Sequence, residues 1–145
     1  ALACDIRLAA SGARLGLPHA DFGLMPRDGG SQRLPRIVGR AKALEMLLTG
    51  AAIDADEAYR IGLVSRVVPP EQLLSDAEAL ARSIAEKGPI ALRYVKEAVN
   101  KGLDLTMSQG LRLEADLYFL LQTTHDRTEG IRAFREKRPP QFKGE

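Results

Sequence analysis

Pro18-His19-Ala20-Asp21-Phe22-Gly23-Leu24-Met25-Pro26-Arg27-Asp28-Gly29-Gly30-Ser31-Gln32-Arg33-Leu34-Pro35-Arg36 decides how this chain is read. Proline and glycine recur through it, and no apolar period persists. It therefore reads from His19 to Pro35 as mostly loop, with a helical turn before Pro26. Gly29-Gly30 predicts a tight turn rather than a phosphate cradle, because the chain has no P-loop or dinucleotide fingerprint. Polar and charged side chains (His19, Asp21, Arg27, Asp28) are held between these turn residues, which is where scaffolds tend to place chemistry.

Outward from this stretch, the N-terminal side reads as strands. Asp5 to Ala10 alternates, with Ile6 and Leu8 on one side and Arg7 on the other. Ser11-Gly12 is a turn, and Arg14 to Leu17 is a second short strand that Pro18 stops. On the C-terminal side, Arg40 to Leu48 is a helix with Ala41, Leu44, Leu47 and Leu48 on one face and Gly50 as its cap. Asp54 to Glu57 has the spacing of a capping box, opening a short helix that ends at Gly62. Val-rich Leu63 to Val68 suits a strand.

Past Pro69-Pro70 the pattern is helical. Leu73, Ala77, Leu80, Ala81 and Ile84 recur at helical spacing up to Gly88. Pro89 suits the first turn of a helix that runs to Lys101 and stops at Gly102. Thr106 to about Leu121 is a third helix. Asp126-Arg127-Thr128-Glu129 is a second capping-box pattern, opening a helix to about Lys137, and Pro139-Pro140 ends regular structure. The expectation is an α/β part over residues 1–68 and an all-helical part over residues 69–145. Two or three strands do not make a self-sufficient sheet, and Ala1-Leu2-Ala3-Cys4 reads as the tail of an apolar segment. Both point to a fragment of a longer chain.

Composition excludes several classes. The 145 residues include 21 basic and 19 acidic ones, a net charge of +2, so no strong field points to nucleic acid or to an acidic membrane. No apolar run approaches the roughly 18 residues of a membrane span. Cys4 is the single cysteine, which rules out an intrachain disulfide and reads as a small buried hydrophobe. No Cys/His set has metal-ligand spacing.

Several segments together resemble the enoyl-CoA hydratase/isomerase (crotonase) family, and they do so in collinear order over essentially the whole chain. Ala1 to Arg7 is similar to the family's Leu-Ala-x-x-Cys-Asp-Ile segment, and Gly16-Leu17-Pro18 to its Gly-Gln-Pro. Gly29 to Gly39 resembles its Gly-Gly-Thr-Gln-Arg-Leu-Pro-Arg signature. Leu48-Thr49-Gly50, Ala58 and Gly62-Leu63-Val64 follow its Leu-Thr-Gly and Ala-x-x-x-Gly-Leu-Val. Ala133-Phe134, Glu136-Lys137-Arg138 and Phe142-Lys143 resemble its C-terminal tail.

The resemblance implies the second half of a crotonase-type ββα spiral, followed by a helical region that assembles as a homotrimer or a dimer of trimers. It implies an acyl-CoA substrate, with coenzyme A entering as part of that substrate and no separate cofactor. Nucleic acid and a membrane span are not expected. The expected compartment is the cytoplasm, or the mitochondrial matrix in a eukaryote. The implied reaction is addition of water across a 2,3-enoyl-CoA, with the enolate stabilised by backbone N–H groups. The family's glycine turn and first catalytic glutamate would lie before Ala1, so the isolated 145-residue chain is expected to be inactive. Isomerisation on the same scaffold, or a non-catalytic module that binds acyl-CoA or forms oligomers, are the alternatives.

The resemblance also implies roles for particular residues. Pro18 and His19 fall where the family has proline and its second catalytic glutamate. An imidazole is an acid or a base near neutral pH, but it is shorter than glutamate and orients water differently. Arg27 replaces a glycine, so a guanidinium projects either onto a substrate carboxylate or into solvent. Asp28 is a candidate partner for His19 or Arg27, and Asp21 is a second candidate for orienting His19. Phe134 and Lys137, three apart on the last predicted helix, fall where the family meets the adenine and phosphates of coenzyme A. His125, at a helix start, reads as local structure.

Overall fold

The structure is a computed structural model that describes residues 1–145. It divides into two compact units, Ala1–Glu78 and Ala79–Glu145.

In the first unit, β1 (Leu8–Ala10) pairs in parallel with β4 (Arg66–Val68), in the register Leu8↔Arg66, Ala9↔Val67 and Ala10↔Val68. β2 (Arg14–Leu15) pairs antiparallel with β3 (Ile53–Asp54). The first strand is shorter than the alternation of residues 5–10 predicts. Ahead of it Arg7 takes over the local geometry, its guanidinium donating to the Leu63 and Cys4 carbonyls, both at 2.6 Å. Between β1 and β4 lie α1 (Gly30–Val38), α2 (Arg40–Thr49) and α3 (Ala55–Arg60). They close over a core that includes Ala9, Leu34, Ala43, Met46, Ala58 and Leu63.

α1 corrects the expectation of a loop over residues 19–35. Pro35 lies inside this helix. Proline there costs about 3 kcal/mol and removes one intrahelical hydrogen bond. Leu34 is 1% exposed, and Ile37 and Val38 pack on the same core, so apolar burial of about 1.5–3 kcal/mol per side chain offsets the proline. The buried face of α2 also differs from the expected one. Ala43 and Met46 are buried, whereas Leu48 is 74% exposed. Gly50 caps the helix at φ 67°, and a Cβ there would lie 2.6 Å from Asp21 Oδ1. Asp54 caps α3 by accepting from the Glu57 N–H at 2.8 Å. The Glu57 carboxylate does not complete a box; it pairs with Arg60 at 2.6 Å and with Lys42 of α2 at 3.2 Å. Those cations hold its carboxyl down to about 2, with Arg60 the larger cause.

α4 (Leu73–Ala85) follows, with no buried side chain. In the second unit, α5 (Pro89–Gly102) packs on α6 (Met107–Leu121), whose start is fixed by a complete capping box between Thr106 and Gln109. α7 (His125–Arg135) is capped by Thr124, one residue before it, and not by Asp126 as the spacing suggests. Asp126 and Glu129 are 4% and 3% exposed and face the C-terminal segment instead. Asp126 accepts the backbone N–H groups of Lys143 at 2.7 Å and Gly144 at 2.8 Å. Glu129 accepts the Gln141 N–H at 3.0 Å and pairs with Arg138 at 2.6 Å and Arg132 at 2.6 Å. Arg138 first, then the Gln141 amide and Arg132, hold the Glu129 carboxyl well below the ordinary carboxylate range. No helix is long and apolar enough to cross a membrane.

Candidate active site

The stretch from Pro18 to Arg33 builds one wall of a cavity of about 560 Å³ in the first unit. Pro18 fixes the entry of a 3-10 turn over Pro18–Phe22, which ends at Gly23 in the left-handed conformation. This turn presents His19 to the cavity, and the loop before α1 presents Arg27 and Asp28. Leu34 and Met46 reach the cavity from α1 and α2.

The loop holding Arg27 makes a tight turn. Asp28 and Gly29 adopt successive left-handed conformations, φ 56° and φ 85°. Aspartate tolerates that region better than most side chains, and glycine is free in it. Gly30 N–H donates to the Arg27 carbonyl at 3.1 Å, and the Arg33 guanidinium donates to the Asp28 carbonyl. Gly30 is buried, and a Cβ there would lie 3.0 Å from Pro26 Cβ, so the turn and the helix start are packed together.

His19 Nδ1 is buried and has no hydrogen-bond partner in the chain. Buried polar atoms are nearly always satisfied, so an orphan on a residue that lines a cavity marks that imidazole as unusual. Asp21 does not orient this imidazole, because its carboxylate lies against Gly50. The Asp28 side chain bonds neither His19 nor Arg27.

Of the residues singled out in the sequence, His19, Arg27 and Asp28 line the same cavity, and Pro18 does not. Phe134 and Lys137 belong to the second unit. They do not share a helical face as the spacing suggests, since α7 ends at Arg135 and Lys137 turns into the left-handed region at φ 53°. Phe134 is 84% exposed. Cys4 is exposed rather than buried. Sequence reading missed Arg7, Arg14 and Arg33, which also line the cavity. Arg7 is tied to a carbonyl 56 residues away, a contact with no local signal. No three His, Cys, Asp or Glu side chains gather in a metal-binding arrangement.

Comparison with known proteins places this geometry. The pattern of a family described as enoyl-CoA hydratase/isomerase matches residues 1–145. A crotonyl-CoA hydratase from Syntrophomonas wolfei is 45% identical over 142 residues, covering 98% of this chain and 55% of that protein. A short-chain-enoyl-CoA hydratase from Clostridioides difficile is 47% identical over 135 residues, covering 93% of this chain and 87% of that sequence. The crystal structure of an enoyl-CoA hydratase from Bacillus anthracis matches with a TM-score of 0.97 and 46% identity, over 99% of this chain and 56% of that one. The chain spans about half the length of most of the curated relatives it matches. Sequence and fold agree along the full 145 residues, and the chain belongs to the enoyl-CoA hydratase/isomerase family.

Proposed function

We propose that the full-length protein is an acyl-CoA-handling lyase that adds water across a 2,3-enoyl-CoA. The observation that carries this reading is the continuous match of the chain to hydratases, with a cavity at the matching loop. In the reaction, a water oxygen bonds to C3 while C2 gains a proton, and the thioester oxygen carries negative charge in between. Donors held ready for that charge supply much of the rate in such chemistry.

Within this chain His19 is assigned the acid/base role. Its position after Pro18, its place on the cavity wall and its unpartnered Nδ1 support the assignment. Geometry comes first in choosing such a group, and an imidazole can both take and return the proton. Pro18 sets the turn that aims it. Phe134, with its exposed ring, and Lys137 are assigned to the adenine and phosphates of coenzyme A, a stacking surface and a point charge.

Self-association belongs to the same reading. In the second unit, Val95, Val99, Tyr118 and Phe119 on α5 and α6 are each more than half exposed. Apolar helix surface of this kind is the usual material of subunit interfaces, which supports self-association, and the family resemblance implies a homotrimer or a dimer of trimers. A clean monomer by light scattering at micromolar concentration would count against it.

The test of the activity is incubation of the full-length protein with crotonyl-CoA, followed by product analysis. Formation of 3-hydroxybutyryl-CoA supports the reading. A shifted double bond without hydration would assign the isomerase alternative. Bound but unreacted thioester would leave the binding module.

A further inference from the structure

The cavity beside His19 has an unusual charge for a pocket that takes an acyl chain. Four arginines line it, Arg7, Arg14, Arg27 and Arg33, against the single carboxylate of Asp28. Three of the four are committed to backbone carbonyls. Arg7 holds Leu63 and Cys4 at 2.6 Å, Arg14 holds Ala52 at 2.9 Å, and Arg33 holds Asp28. The Arg27 guanidinium has no hydrogen bond or ion pair with the rest of the chain.

Its base, by contrast, is fixed. The Arg27 carbonyl accepts from Gly30 N–H at 3.1 Å, and the next two residues are locked in left-handed conformations at φ 56° and φ 85°. A guanidinium with a hydrogen-bonded root and a free head offers a fork of donors to a carboxylate or phosphate. A cleft with an excess of positive charge also concentrates anions. A purely aliphatic acyl group would need none of this.

We propose that Arg27 binds a carboxylate at the far end of the substrate's acyl group, so that the preferred thioester is that of a dicarboxylic acid. This rests on the acyl-CoA reading above. The phosphates of coenzyme A carry the same anionic chemistry, and the experiment separates the two sources.

Calorimetry on the full-length protein would compare glutaryl-CoA, butyryl-CoA and coenzyme A, none of which has a double bond to hydrate. Arg27→Gln is expected to weaken glutaryl-CoA by about tenfold to a hundredfold, the worth of a charge-assisted pair, and butyryl-CoA by less than about twofold. Arg27→Lys should restore part of the loss. Equal weakening of all three ligands would assign Arg27 to the phosphates and overturn the proposal. So would unchanged glutaryl-CoA binding in a variant that still hydrates crotonyl-CoA, and there the hydratase reading would stand. Failure of the folded wild type to bind either thioester would remove both.

Discussion

Asp126→Asn is a sharp test of how the C-terminal segment is held. The wild-type carboxylate is 4% exposed and takes two backbone N–H groups, from Lys143 at 2.7 Å and Gly144 at 2.8 Å. Asparagine keeps the shape and one acceptor oxygen, but turns an NH2 group towards the other donor. One hydrogen bond to a charged group is lost, about 1.5–3 kcal/mol. The negative charge in the first turn of α7 goes as well, about 0.3–1 kcal/mol through the helix dipole. The sum is about 2–4 kcal/mol. The tail retains the Glu129 bond to Gln141, and the Phe142 ring remains stacked over Gly88 and Gly130, so the loss should appear as local opening rather than global unfolding. Amide hydrogen exchange at Lys143 and Gly144 should accelerate by about 30-fold or more, with Gln141 changing less. If exchange at Lys143 and Gly144 is unchanged in a folded Asn variant, the carboxylate does not hold the tail.

The remaining predictions concern the site and the first unit. His19→Ala in the full-length protein should lower crotonyl-CoA hydration by about 10²–10⁴ without unfolding it, while His19→Glu should retain more activity than the alanine variant. Steady-state kinetics decides this, and full activity in His19→Ala would make the imidazole a bystander. Acid sensitivity is expected from Glu57, whose carboxyl is lowered from 4.5 to about 2 in the fold. A depressed folded-state value means that the group stabilises the native state above about 4.5 and that this contribution is lost as pH falls through about 2. Glu57→Gln should therefore flatten thermal stability against pH over that window, and an unchanged slope would show that the Lys42–Glu57–Arg60 pairs contribute nothing measurable.

Motif order and helical period carried much of the architecture. The second-unit helices start and stop close to their predicted ends, because Pro89, Gly102 and Thr106 mark boundaries by local chemistry. The loop reading of residues 19–35 failed at α1, since Pro35 and the Gly29-Gly30 pair outweighed the burial of Leu34, which only the tertiary core reveals. The Asp126/Glu129 spacing suggests a cap for the same reason. A box and a tail clamp use the same residue types, and the partners at 141, 143 and 144 are supplied by a chain reversal that no local pattern encodes. The clustering of His19, Arg27 and Asp28 was legible because they fall within one short stretch. The cationic lining was not, since Arg7 and Arg14 come from separate segments.

The parallel pairing of β1 with β4 joins residues 58 positions apart, Leu8 to Arg66, with three helices in between. Closing a flexible segment of that length costs about 3.6 kcal/mol in chain entropy beyond a constant, before any ladder bond forms. Two strands of three residues each return little of that on their own. The order of assembly follows as a hypothesis: α1 and α2 associate first and shorten the gap, and the strands zip last. Pulse-labelled exchange during refolding, with Val67 and Val68 amides protected before those of α1 and α2, would contradict it. The cavity wall carrying His19 and Arg27 would then be in place before β1 and β4 pair.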